Sequence, residues 1–327
     1  MDWTKYDQYD SKEKYMLNLP SKVRICEVGL RDGLQNEQQI ISTEDKISLM
    51  EDLVEAGFPV IEVGSFMHPK RMPQMADTDE VFKAIAAKYP NVELRALIPN
   101  LRGVQRAVDC GCKKVKLNVS ASRMHNLKNL NRTPEETVSG FADCVAAAKE
   151  NNIEISGSIS MPFGSPWEGE IPQDQIDAII DAYIAVGITE ISLSDTSGMG
   201  TPKMVNTMCE HVLKKYPQVS WWLHFHNTRG TAIANIFAAM QAGMTQFDSS
   251  IGGLGGCPFV PNAAGNISTE DVLNMLNECG VETGIDIRKA IAASRKLLEI
   301  LSKGGDSYIL KAGTNEDLIA NMAEKEA

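Results

Sequence analysis

Eight short runs rich in β-branched residues, each followed by an amphipathic stretch of helical period, constrain this chain more than any other feature. The runs cover residues 23–28, 59–63, 92–97, 114–118, 153–160, 190–194, 220–226 and 246–249. Helical patterns lie between them at 42–56, 78–88, 134–151, 172–186, 202–215 and 231–242. Such alternation calls for a parallel sheet. Eight units whose strands begin about 20–40 residues apart fit a (β/α)8 TIM barrel of ordinary size. A doubly wound open sheet would want Gly-x-Gly-x-x-Gly after the first strand, and that signature is missing. Ser42, Thr78, Thr133-Pro134 and Thr201-Pro202 supply capping or first-turn signals, and Gly57, Gly187 and Gly243 supply helix stops. The expected organisation is an N-terminal extension over 1–20, a barrel over 21–285 and a C-terminal helical segment over 286–327. That last segment would pack on the barrel or on the partner subunit of a homodimer.

Composition narrows the functional classes. Of 327 residues, 43% are hydrophobic and 23% charged, which describes a globular chain. No run approaches the roughly 20 apolar residues of a membrane span, and the first twenty residues lack the apolar core of a signal peptide. A cytoplasmic protein without a membrane partner is the expectation. Seven cysteines at irregular spacing read as reduced thiols, Cys110-Gly111-Cys112 among them. A formal charge of −11 argues against nucleic-acid binding but leaves room for an anionic small ligand met by local Arg and Lys.

In a barrel of this kind, chemistry is assembled at the C-terminal ends of the strands. The seventh strand ends in Leu223-His224-Phe225-His226. Alternation puts both imidazoles on one face and Phe225 on the other, so the pair can clasp one cation. Two half-buried histidines packed beside Trp221 and Trp222 would be the plain alternative. The first strand ends in Arg31-Asp32, and Asp32 is the natural third ligand. Two histidines and a carboxylate suit Mg2+ or Mn2+, and equally Fe2+ or Zn2+, so ligand type alone does not choose the metal. Arg31 offers a fixed fork for a carboxylate or a developing oxyanion. Glu62 sits inside an apolar strand, where an unpaired carboxylate is costly, and needs Arg31 or a bound water as partner. The fourth strand ends in Lys116-Leu117-Asn118 and the sixth in Ser194-Asp195. The eighth runs into Gly252-Gly253-Leu254-Gly255-Gly256-Cys257, a glycine-dense segment that would bring a thiol over a cationic site.

The segments VRICEVGLRDGLQNE, VIEVGSFMHPKRMPQMAD, KLNVSAS, ISLSDTSGMGTP, HFHN and GGLGGCPFVPNAAGNISTEDVLNML resemble, in order, those of the 3-hydroxy-3-methylglutaryl-CoA lyases. The likeness runs from about Val23 to Met275. It implies a divalent cation, Mg2+ or Mn2+, held by Asp32, His224, His226 and Asn266. It further implies an acyl-CoA substrate, enolate stabilisation by Arg31, proton delivery by Cys257, and support from Glu62 and Asp195. The reaction implied is a retro-Claisen cleavage of 3-hydroxy-3-methylglutaryl-CoA to acetoacetate and acetyl-CoA. The base stays open between His224 and a water held by Glu62 or Asp195.

The sequence also departs from typical members, and these departures are expected to reshape the acyl pocket. Asn227-Thr228-Arg229-Gly230 replaces Asp-Thr-Tyr-Gly, Gln38 replaces Lys, and Arg123-Met124 follows Ser-Ala-Ser where an acid is usual. Met161-Pro162-Phe163-Gly164-Ser165-Pro166 replaces Cys-x-x-Gly-Cys-Pro. Arg123 and Arg229, if they face inward, would favour a differently placed carboxylate, as in citramalyl-CoA. A condensing synthase of the same barrel group, a metal-dependent hydrolase and a non-catalytic metal binder are the other readings. The synthase lacks the GGLGGCP loop and usually carries a regulatory domain. The hydrolase carries its His-x-His on the first strand.

Overall fold

The computed structural model describes residues 18–256 and 264–326. Eight strands close into one parallel barrel in chain order: β1 (Arg24–Glu27), β2 (Val60–Ser65), β3 (Glu93–Ile98), β4 (Lys114–Ser120), β5 (Glu154–Ser160), β6 (Glu190–Asp195), β7 (Ser220–Phe225) and β8 (Gln246–Ser249). β1 pairs with both β2 and β8, which closes the ring. The TIM barrel read from the alternation is therefore the fold, and helices continue past it at Ile287–Ile300, Tyr308–Ala312 and Asn315–Glu326.

Local chemistry explains the element boundaries. Ser42 Oγ, Thr133 Oγ1 and Thr201 Oγ1 accept from amides of the first turn and start their helices. Gly57, Gly187 and Gly243 have φ of 95°, 91° and 104°, a left-handed region that an L side chain resists. One expectation fails here. The helix expected over 134–151 is broken at Gly140 into Pro134–Ser139 and Phe141–Glu150, with the Gly140 amide donating to Thr137 O rather than continuing the ladder. Two further helices, Leu101–Cys110 and Arg123–Leu130, were not among the expected ones; the second is short and largely polar, whereas the first has Leu101, Val104, Ala107 and Val108 at helical spacing.

Strand alternation sorts side chains into two cores. Ile25, Ile61 and Val63 point outward into the main core with Leu49, Leu53 and Val104 of the helices. Cys26, Val28, Val60 and Trp222 form a small separate cluster inside the barrel. Much of the remaining interior is charged rather than aliphatic. Near the strand starts, Arg95 pairs with Glu93 at 2.5 Å and Glu190 at 3.0 Å, and its guanidinium lies 4.4 Å from the Trp222 ring. Lys114 meets Glu190 at 2.7 Å and Glu93 at 3.2 Å.

The C-terminal helices reach back to the barrel. The Asp286 amide donates to Ala56 O at 2.8 Å, and Asp306 N donates to Gly252 O at 3.0 Å. The second of these ties the tail to the segment that follows β8.

Candidate active site

After β1 the chain makes one tight turn, Gly29–Gly33, in which the amides of Arg31, Asp32 and Gly33 all donate to Val28 O. This compact turn delivers Arg31 and Asp32 side by side over the mouth of the barrel. β7 delivers His224 and His226 on one face, with ring centroids 5.3 Å apart, while Phe225 packs outward against Phe163. β7 ends one residue earlier than expected, and His226 instead forms an isolated antiparallel bridge with Asn266. Flanking bonds, Asn227 N to Gly265 O and Ile267 N to Phe225 O, stitch residues 265–267 onto the strand end. A Cβ on Gly265 would collide with the carbonyl of Gly253, so glycine is required for that close approach.

One ligand atom from each of Asp32, His224 and His226 falls within 4.8 Å of the others, and all three residues are buried. Both imidazole Nε2 atoms face Asp32 Oδ2, at 3.8 Å and 3.9 Å. Asn266 joins them, donating from Nδ2 to Asp32 Oδ2 at 2.8 Å. Its Oδ1 is buried with no hydrogen-bond partner among the described residues. An orphaned buried oxygen beside two imidazoles and a carboxylate is what a cation-binding site presents. The charge states agree. Burial alone would raise the Asp32 carboxyl, but Arg31, His224 and His226 outweigh it and hold it well below the usual carboxylate range. Burial takes His226 down to about 4, so its imidazole is neutral and able to ligate.

Arg31 is clamped between two carboxylates, Nε to Glu62 Oε1 and Nη1 to Asp32 Oδ1, each at 2.5 Å. The partner expected for Glu62 is thus found, and a second accompanies it. Lys116 Nζ donates to Glu62 Oε2 at 2.8 Å. Burial opposes ionisation of Glu62, and Arg31 and Lys116 pull it below its ordinary value. Lys116 also lies 3.6 Å from Asp248 Oδ2, and that same oxygen is 3.2 Å from His224 Nδ1. Burial would raise Asp248 too, but Lys116 and His224 bring it to about 2. Asp248 thus orients the His224 ring from behind, as a carboxylate commonly does for a metal-binding imidazole.

Asp248 was missed in the sequence. Its signal is the one that exposed Glu62, a lone carboxylate at an alternating position in a strand. Lys116 reads in the sequence only as a polar residue at a strand end.

These groups open on a cavity of about 460 Å³ at the C-terminal ends of the strands. Arg31, Asp32, Lys116, His224, His226 and Asp248 line it, with Asn118, Ser158, Ser160 and Ser194 on one wall and Met67, Met72, Ile98, Pro99 and Leu130 on another. Asp195 is not brought to the lining. Its carboxylate turns back on its own loop, accepting from Met199 N and Gly200 N at 3.0 Å, and burial pushes it up to about 6. Cys257 lies outside the described residues; its neighbour Gly256 lines the cavity and accepts from Asn36 Nδ2 at 2.9 Å.

The departures expected to reshape the pocket lie away from its lining. Arg123 pairs with Glu135 at 3.0 Å with its side chain 57% exposed. Arg229 donates to the carbonyls of Ser197 and Gly198. Asn227 Oδ1 accepts from Ala232 N at the start of the next helix.

Known proteins resemble this chain over most of its length. A family model described as HMGL-like matches residues 22–297. The mitochondrial hydroxymethylglutaryl-CoA lyase of Macaca fascicularis is 41% identical over 91% of both chains. A 3-hydroxy-3-isohexenylglutaryl-CoA/hydroxymethylglutaryl-CoA lyase of Pseudomonas aeruginosa is 40% identical over 90% of this chain and 98% of its own. Among solved structures, an HMG-CoA lyase from Acinetobacter baumannii in complex with coenzyme A and 3-methylmalate superposes with a TM-score of 0.86. It is 39% identical over 93% of this chain and 98% of that one. The carboxyl transferase domain of Rhizobium etli pyruvate carboxylase, 16% identical with a TM-score of 0.68, shares the fold.

Proposed function

The chain belongs to the HMGL-like family, and we propose that it is a carbon–carbon lyase that cleaves 3-hydroxy-3-methylglutaryl-CoA to acetoacetate and acetyl-CoA. The observation that carries this reading is the Asp32–His224–His226 cluster set beside a doubly clamped Arg31 in one cavity. Asp32, His224, His226 and the free Oδ1 of Asn266 would hold a divalent cation, Mg2+ or Mn2+ in this reading. When bound, it supplies Lewis acidity to the substrate's oxygens.

The remaining work belongs to the chain. The C3 hydroxyl loses its proton, the C2–C3 bond breaks, C3 becomes the ketone carbon, and the electron pair passes to the thioester as an enolate. Of the three groups weighed as base, His224 alone lines the cavity. Glu62 is engaged by two cations, Asp195 by its own loop, and His224 through Nε2 toward the cation and Nδ1 with Asp248, so the proton leaves to water admitted by the cavity. Arg31 faces the developing enolate oxygen. Its two carboxylate clamps fix it in place beforehand, so no reorganisation is needed when the charge appears. Cys257 then delivers the proton to C2.

Arg123 and Arg229 do not add charge to the cavity, which favours 3-hydroxy-3-methylglutaryl-CoA over citramalyl-CoA. The test is kcat/KM for both thioesters with added Mg2+. The first is expected to win. A preference for the second above about tenfold, or about 1.4 kcal/mol in transition-state binding, replaces the substrate and keeps the reaction class. If no 3-hydroxy-acyl thioester is cleaved, the lyase reading fails.

A further inference from the structure

We infer that Lys116 is a positioning residue of this site, acting through Glu62 and Asp248 to hold Arg31 and His224 and to keep the loaded site positively charged. Lys116 stands on β4 and shares the Glu62 carboxylate with Arg31, with only 4% of its surface exposed. An ammonium that deeply buried persists only with carboxylates in reach. It has two, and each has a second task. Glu62 gives Oε2 to Lys116 and Oε1 to Arg31. Asp248 gives Oδ2 to both Lys116 and His224. A single side chain from β4 thereby braces one carboxylate on β2 and one on β8, and through them the Arg31 guanidinium and the His224 imidazole that flank Asp32.

Arg31 and Lys116 face Asp32, Glu62 and Asp248, so in this network the carboxylates outnumber the fixed cations by one. A divalent cation turns that excess into one positive charge, which suits a substrate that carries a carboxylate and develops an enolate. Without Lys116 the same cation would bring this network only to neutrality, with Arg71 at the cavity wall the one further cation among the lining residues described. Lys116 lines the cavity itself, so its charge is felt there.

The two roles predict an unusual pair of effects. Replacing Lys116 removes a charge that repels the cation, so the cation binds more tightly, while turnover falls because Arg31 and His224 lose their supports. General loosening of the site would weaken both. The turnover half rests on the lyase reading; the cation half does not.

The experiment titrates Mn2+ into wild type and Lys116→Met by calorimetry and measures kcat on 3-hydroxy-3-methylglutaryl-CoA. Expected are several-fold tighter Mn2+ binding and a kcat lower by about 10–100-fold, the usual cost of removing support behind metal-binding residues. Lys116→Ala, with propylammonium added to fill the vacated space, should regain part of its kcat, which covers the case in which Met fails to fold. Weaker Mn2+ binding by the variant, or wild-type turnover without Lys116, overturns the inference. Should the wild type cleave no 3-hydroxy-acyl thioester, the lyase reading is lost, and the Mn2+ shift still decides whether Lys116 sets the charge of the site.

Discussion

β4 contributes one lysine to each of two buried ion networks, two residues apart on the same face, and the networks differ in balance and in access. Lys114, at the strand start, joins Arg24 and Arg95 against Glu93 and Glu190, and Trp222 covers Arg95 from above. None of these residues lines the cavity. Lys116 joins Arg31 against three carboxylates, beside two imidazoles and an orphaned amide oxygen, and the group borders about 460 Å³ of open space. Buried charge by itself therefore says little about function. A network supplied with its own cations and closed by an aromatic ring is part of the scaffold. One with unspent carboxylate and a way in is prepared for a ligand.

The largest effect expected from this contrast follows loss of a ligand in the upper network. His226→Ala should purify folded, because Trp221, Leu223 and Phe225 keep β7 packed. Elemental analysis should show its divalent metal gone and turnover reduced to background. Unchanged metal content in His226→Ala ends the ligand assignment.

An intermediate effect is expected in the lower network. Arg95→Met leaves Glu93 and Glu190 with one cation fewer. Urea denaturation should report a loss of about 1–3 kcal/mol, since Glu93 and Glu190 are partly exposed and keep Lys114 as partner. Metal content and kcat of the folded protein should match wild type. If kcat instead collapsed in a stable Arg95→Met protein, the division between scaffold and site would be wrong.

The smallest effect concerns a third kind of buried charge, a carboxylate bound to amides instead of cations. Burial raises Asp195 from the ordinary carboxylate value to about 6, so the folded state holds its proton more tightly than the unfolded chain. The stability this contributes is complete at about pH 4 and is lost as pH rises through 6, by about 1.4 kcal/mol per pH unit within that window. Urea midpoints across pH 4–7 should fall, and Asp195→Asn should make the fall shallower by one proton's slope below pH 6, Glu27 and Glu270, raised by burial to about 8 and about 7, keeping the rest. A wild-type midpoint that rises over the same range would show that the loop amides, which favour the ionised form, dominate.

Much of the site was legible because its residues break local rules. His224 and His226 share a face by strand alternation alone, and Glu62 is conspicuous as an acid in an apolar strand. Asp248 breaks the same rule, but β8 is four residues long, too short a run for its one acid to stand out. Arg123 and Arg229 show the opposite failure. Their types change the charge of the chain, and only the fold shows that one pairs with Glu135 and the other with loop carbonyls, both outside the cavity. The broken helix at Gly140 has a related cause, since a single glycine is tolerated in many helices and the break depends on how the two halves pack.

What the sequence determined by itself is everything that depends on period and chain order: eight strands, their parallel closure, the pairing of His224 with His226, and the delivery of Arg31 and Asp32 at a strand end. Tertiary structure decided what depends on distance across the barrel. Asn266 meets His226 because residues 265–267 are stitched to the end of β7. Lys116 meets Glu62 and Asp248 because closure of the ring turns three strands toward one centre. Alternation fixes which side chains share a face. Only a closed barrel makes one of those faces an interior, where a lysine and three carboxylates must answer one another's charge.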